Sequence, residues 1–106
     1  MHASPDRTSW VYIMTNRSGT LYIGMTNTLM RRIHDHRQGR GEGFTAKYRI
    51  TRLICAESSA EVRDAVARER QLKGWSRAKK LTLIGASTPD WRELGDDWPG
   101  VIAEEA

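Results

Sequence analysis

W-V-Y-I-M-T-N-R-S-G-T-L-Y-I-G-M-T-N-T-L-M-R-R-I-H-D-H, residues 10–36, is the stretch on which the fold turns. It reads as a strand, a tight turn, a second strand and the start of a helix. Over residues 10–14, Val11 and Ile13 share one face and Tyr12 takes the other. Over 21–25, Leu21 and Ile23 share a face and Tyr22 sits opposite. Asn16-Arg17-Ser18-Gly19 between them carries turn chemistry, with Gly19 free to take a positive φ. A hairpin closed there sets Tyr12 and Tyr22 on neighbouring strands, on the same side and roughly across from each other. Gly24 follows, where a missing side chain leaves room for a ligand or another backbone. The helix then presents Arg32 and His36 at i and i+4, on one face. Two tyrosines, an arginine and a histidine thus come within reach of one spot.

Working outward, Thr26 or Asn27 caps the first helix, which runs to about residue 38 and stops at Gly39. Leu29, Ile33 and Met30 form its buried stripe. Residues 39–49 contain three glycines and are expected to be a loop. The apolar run at 52–57 predicts a third, buried strand. Ser58 with Glu61 three residues on makes a capping box, so a second helix starts there. It continues to about residue 73 and stops at Gly74. Ser76 caps a third helix with Leu81 and Ile84 facing inward. Thr88-Pro89 then opens a short helical turn holding Trp91 and Leu94, and Trp91 and Trp98 fold back onto the body. The order is ββα, loop, β, αα: a small α+β domain with a three-stranded antiparallel sheet flanked by helices. Residues 1–9 are expected to be a flexible N-terminus, 10–98 the domain, and 99–106 a mobile acidic tail.

With 106 residues there is enough chain for one modest core. No long apolar run suggests a membrane span or a signal peptide. The single cysteine, Cys55, can form no internal disulfide, which fits a reducing cytoplasm. The net charge of +4 hides an asymmetry: residues 90–106 carry −5 and residues 1–89 carry +9. A basic body points to a polyanion, nucleic acid first.

The second helix holds an anomaly. Its stripe is Val62, Ala65, Val66 and Leu72, and Glu69 lies on it. A carboxylate on a buried face is costly unless it is paired or holds a cation. Two readings stay open: a stripe-edge glutamate paired with an arginine, or a carboxylate turned inward to hold a metal. Arg31, Arg32 and Arg37 read equally as a solvated basic face or as phosphate contacts. His34 and His36 are two apart and do not share a helix face, so H-D-H is no zinc site.

The joint pattern is more specific than its parts. V-Y-I, then L-Y-I-G ten residues on, then L-x-R-R-x-x-x-H, then R-E-R-Q-L-K-G-W, resembles the GIY-YIG nuclease superfamily. The likeness spans about residues 10–98. It is nearest the small single-domain bacterial members, whose ends also run like S-R-A-K-K-L-T-L-I and P-D-W-R-E-L. One departure is visible: Trp10-Val11 stand where the family's first motif has Gly-Ile.

That resemblance implies a role for each matching residue. Tyr12 and Tyr22 flank the scissile phosphate, and one of them, Tyr12 by preference, positions or deprotonates the attacking water. Arg32 contacts the phosphate, and His36 helps proton transfer. Gly24 closes the second motif and keeps the site open. Glu69 is the single protein ligand to Mg²⁺ or Mn²⁺. Lys47 and Tyr48 resemble a K-Y pair near the site. The chemistry agrees: phosphodiester cleavage needs an activated water and charge stabilisation at the phosphoryl oxygens. Around the site Arg31, Arg37, Arg40, Lys47, Tyr48 and Arg49 are expected to hold the nucleic-acid backbone without reading sequence. The expected protein is a cytoplasmic, divalent-metal-dependent DNA endonuclease in repair or recombination, structure-selective or weakly sequence-specific. RNA stays open as a substrate, as do a repair-protein partner and the oligomeric state. The alternative is a nucleic-acid-binding module of nuclease fold that acts with a partner.

Overall fold

β1 (Ser9–Thr15) runs through the middle of a three-stranded antiparallel sheet of order β2-β1-β3, between β2 (Leu21–Thr26) and β3 (Arg52–Ser59). These elements are seen in a computed structural model, which describes residues 8–40 and 43–87. The expected α+β class and strand number are found. The turn at Trp91 and Leu94, the packing of Trp98 and the acidic tail lie outside the described residues.

The hairpin closes as its turn residues require. Gly19 takes φ +84°, and its N–H donates to the Asn16 carbonyl at 3.1 Å. The Asn16 carboxamide accepts from Thr20 N–H at 3.0 Å and donates to the Tyr48 carbonyl at 2.7 Å, tying the hairpin to the segment that leads into β3. The register pairs Tyr12 with Gly24 and Met14 with Tyr22. The tyrosines are therefore diagonal neighbours on one face, not directly opposed.

Helices cover both faces of β1. On one, α3 (Val62–Gly74) and α4 (Arg77–Ser87) pack Ala65, Leu72 and Ile84 against Val11, Ile13 and Ile23. On the other, α1 (Leu29–Arg37) packs Leu29 and Ile33 against Tyr12, Met14 and Leu53. A bulge between Ile13 and Met14 pairs Ile13 with Cys55 and Met14 with Leu53, skipping Ile54. That extra residue lets Ile54 and Cys55, though consecutive, join the same core cluster.

Four local expectations are corrected. Helix α1 begins at Leu29 with Thr28 at its N-cap, because Thr26 is still in β2 and uses its hydroxyl to accept Thr28 N–H at 3.0 Å. Met30 is exposed and His36 is buried in its place, since the sheet-facing stripe runs Leu29, Ile33, His36. The glycine-rich stretch is not all loop: Gly43–Lys47 form a short helix, α2, anchored by buried Thr45. Ser58 makes no capping box, because β3 extends to Ser59 and Glu61 becomes the N-cap residue of α3 without a side-chain bond. Val62, expected in the stripe, is exposed in consequence. Ser76 does cap α4, accepting Lys79 N–H at 3.1 Å.

One ion pair clamps α3 to β3. Arg68 Nε and Nη2 donate to the two Glu57 carboxylate oxygens at 2.8 and 3.0 Å, while Nη1 donates to Gln71 at 2.7 Å. The Glu57 hydrogen bond raises the guanidinium pKa above its ordinary value, against the opposing pull of desolvation. Both side chains are about two-thirds covered, at 29% and 32% exposure. Such a bidentate pair outperforms an open surface pair. Arg68→Ala is expected to cost about 1 kcal/mol in a urea melt. Arg68→Lys should recover little, since a single ammonium cannot make the paired contact.

Candidate active site

Tyr12 lies at the centre of the sheet, and its phenol reaches sideways over Gly24 on β2. A Cβ on Gly24 would stand 2.5 Å from the Tyr12 hydroxyl oxygen, 2.6 Å from its Cζ and 3.0 Å from a Tyr22 ring carbon. The missing side chain is filled by Tyr12 itself. Tyr12 is fully buried, and its hydroxyl is 3.3 Å from His36 Nε2 on α1. Tyr22 completes the group, its ring 6.2 Å from Tyr12 and edge-on to His36 at 5.7 Å. The i, i+4 spacing on α1 sends His36 inward beneath the tyrosines, and Arg32, half-buried, to the rim.

A cleft of about 310 Å³ opens at the β2 edge of this cluster. Tyr22, Gly24, Arg32 and Glu69 all line it, so β2, α1 and α3 converge there. Glu69 is 21% exposed and pairs with Lys73 Nζ at 3.0 Å. The arginine partner considered from the sequence is thus a lysine one turn on. Lys73 and Lys80 also line the cleft and escaped the sequence reading. The i+4 spacing from Glu69 was a usable signal for Lys73. Lys80 had none, because its place depends on how α4 packs.

One carboxylate in a water-accessible cleft fits a hydrated Mg²⁺ or Mn²⁺, which takes its remaining ligands from water and phosphate. Among the described residues no cluster of three His, Cys, Asp or Glu offers a fuller cage. The donor set suits a hard, hydrated ion and not a tetrahedral zinc site.

The expected backbone-binding residues split. Arg37, Tyr48 and Arg49 line a second, larger cavity of about 1020 Å³ beyond His36, together with Arg17 and Arg52. Arg31 and Lys47 are exposed and line neither opening; Lys47 Nζ lies 5.4 Å from the Tyr48 ring centre. Arg40 faces Asp35 at 3.5 Å. Phe44, missed from the sequence, stacks between Tyr22 and Tyr48. Its signal was a lone large aromatic among glycines.

Arg49 has an unusual backbone. Ile50 N–H donates to Thr45 and Arg49 N–H to Ala46, which places Arg49 where a helix-ending glycine is usual, at φ +52°. Helix α1 ends in the same pattern with Gly39 at φ +75°. Left-handed backbone costs a non-glycine residue about 1–2 kcal/mol, more than the roughly 0.5–1 kcal/mol of extra chain entropy glycine loses. Arg49→Gly should therefore raise the melting temperature by a few degrees while weakening nucleic-acid binding, which parallel melts and anisotropy titrations would test.

Comparison with known proteins bears on these features. The family model described as the GIY-YIG catalytic domain matches residues 8–82. A UPF0213 protein of Desulfotalea psychrophila is 37% identical over 77% of this chain and 76% of its own. A UPF0213 protein of Pseudomonas aeruginosa is 36% identical over 81% of this chain and 82% of its own. The solution NMR structure of a UPF0213 protein from Bacillus halodurans superposes with a TM-score of 0.53 at 30% identity, covering 77% of this chain and 88% of that one.

Proposed function

This chain belongs to the GIY-YIG nuclease superfamily, as a small bacterial member, and from that premise we propose that it is a divalent-metal-dependent DNA endonuclease. The observation that carries the reading is the cleft at β2, where Tyr22, Gly24, Arg32 and Glu69 converge from three elements. Arg32 binds the scissile phosphate, and its fork matches two phosphoryl oxygens and the charge that builds on them. Lys73 and Lys80 add positive charge to the same cleft. Glu69 holds the metal, which when bound supplies Lewis-acid stabilisation and lowers the pKa of water.

Tyr22 lines the cleft and orients the attacking water there. Tyr12 is buried beneath, so its role runs through Gly24 and His36. Its phenol fixes the β2 backbone, and its hydroxyl, 3.3 Å from His36 Nε2, holds the imidazole in place beneath the cleft. Outside the cleft, Arg31, Arg37, Arg40, Lys47 and Arg49 hold the strand through its phosphates, with Tyr48 beside them, so substrate choice follows DNA shape more than sequence. A place in repair or recombination fits such a preference.

Labelled duplex, flapped, branched and single-stranded DNAs incubated with Mg²⁺, Mn²⁺ or EDTA test the proposal. Metal-dependent cutting of at least one substrate supports it. Binding without cutting on every substrate transfers the reading to a binding module that acts with a partner.

A further inference from the structure

We propose that this protein engages an unpaired nucleotide: a base stacks on Phe44 and Tyr48 while the phosphates of the same strand run into the arginine-lined cavity beyond His36. The proposal rests on the nucleic-acid reading above and narrows it to a substrate with a single-stranded segment.

Three rings form a ladder leading away from the cleft. Tyr22 and Phe44 stack at 6.2 Å and 26°, and Phe44 and Tyr48 meet at 4.8 Å. Phe44 lies on α2 and Tyr48 directly follows its last residue, with Tyr48 N–H donating to the Phe44 carbonyl at 3.0 Å, so the two rings sit one turn apart. They are 45% and 43% exposed. Neither is needed as the anchor of α2, because buried Thr45 and fully buried Ile50, which follows the helix, fasten it. Two large aromatics side by side, each nearly half open to water, are costly unless something covers them.

The surroundings say what covers them. The adjoining cavity is lined by Arg17, Arg37, Arg49 and Arg52, and among the described residues lining it there is no carboxylate. Tyr48 lies on its wall, so aromatic surface and cationic wall are continuous. Arg49 sits there in a left-handed backbone that glycine would adopt more easily, as though the cation were worth the strain. A purely apolar partner would bring no negative charge to a wall that Arg17 and Arg49 line, and a bare polyanion would leave the rings uncovered. Single-stranded nucleic acid offers both a base face and a phosphate at adjacent positions. In an intact duplex the base faces are stacked on one another and unavailable to the ladder.

The test is fluorescence anisotropy in EDTA, where cutting plays no part. The probes are an oligo(dT) of about 12 nucleotides, an abasic strand of equal length, and the matching duplex. Wild type should bind oligo(dT) more tightly than either control. Phe44→Ala should weaken oligo(dT) binding by roughly tenfold or more and leave the abasic strand and duplex nearly unchanged. Phe44→Trp should retain the preference, and thermal melts of both variants should overlay wild type because Phe44 is exposed. Equal binding of the abasic strand, a preference for duplex, binding of none of the three, or an unaltered Phe44→Ala would each overturn the proposal. Because the readout is binding without metal, failure of every cleavage assay would sink the nuclease reading and leave this one standing. Cutting of fully paired duplex without an effect of Phe44 would do the reverse.

Discussion

Glu69→Gln is expected to lose metal-dependent cleavage by on the order of a thousandfold, the equivalent of the several kcal/mol a bound divalent ion supplies to a phosphoryl transition state. The amide keeps the shape of the side chain but removes the charge that competes with water for a hard cation. The fold should survive, because what Glu69 gives up structurally is an i, i+4 pair with Lys73 whose lysine is 55% exposed. Pairs of that kind contribute only about 0.3–0.5 kcal/mol. Binding to DNA in EDTA should hold or tighten slightly, since a negative charge has left a cleft that also contains Arg32, Lys73 and Lys80. Single-turnover cleavage across a Mg²⁺ series, beside anisotropy in EDTA, separates these effects. Undiminished cutting by Glu69→Gln would remove Glu69 from the metal site. A parallel loss of binding and melting temperature would reduce it to a structural residue.

Gly24→Ala is expected to destabilise the protein by about 1–3 kcal/mol and to cut activity by roughly a hundredfold. The new methyl would overlap the Tyr12 hydroxyl oxygen at 2.5 Å and its Cζ at 2.6 Å. Tyr12 cannot step aside cheaply. It is fully buried in the cluster with Met14, Leu29 and Ile33, and its ring is flanked by Tyr22 and His36. The strain is therefore shared between the β2 backbone, which lines the cleft, and the Tyr12–His36 contact. A displacement of about 1 Å at a reacting centre is enough for a loss of that size. Adding Tyr12→Phe should not rescue stability, because the ring carbon at 2.6 Å remains when the hydroxyl is gone. Urea melts of the single and double variants decide this. A Gly24→Ala protein as stable and active as wild type would show that the tyrosine ring moves freely, contrary to its burial.

The sequence by itself determined the hairpin and most of what hangs from it. Alternation around Tyr12 and Tyr22, the turn at Gly19 and the stop at Gly39 are local effects, set by side-chain periodicity and the freedom of glycine to take positive φ. The spacing of Arg32 and His36 was legible for the same reason. Glu69 stood out because a charge on an apolar stripe conflicts with burial, and that conflict can be read without a structure. Tertiary structure alone decided the rest. Register set Gly24, and not Tyr22, opposite Tyr12, and so turned the glycine from an opening for ligand into a seat for the phenol. The bulge at Ile13 put consecutive residues of β3 in one core cluster, which no two-residue periodicity predicts. Helix α2 formed where three glycines argued for loop, because buried Thr45 and its hydrogen bond to Ile50 fasten it. Lys80 entered the cleft, and Phe44 met Tyr22, only through the packing of elements far apart in the chain. Local chemistry settles where a strand or helix begins and which way its residues alternate. Which side chains meet depends on long-range contacts that no short window of sequence contains.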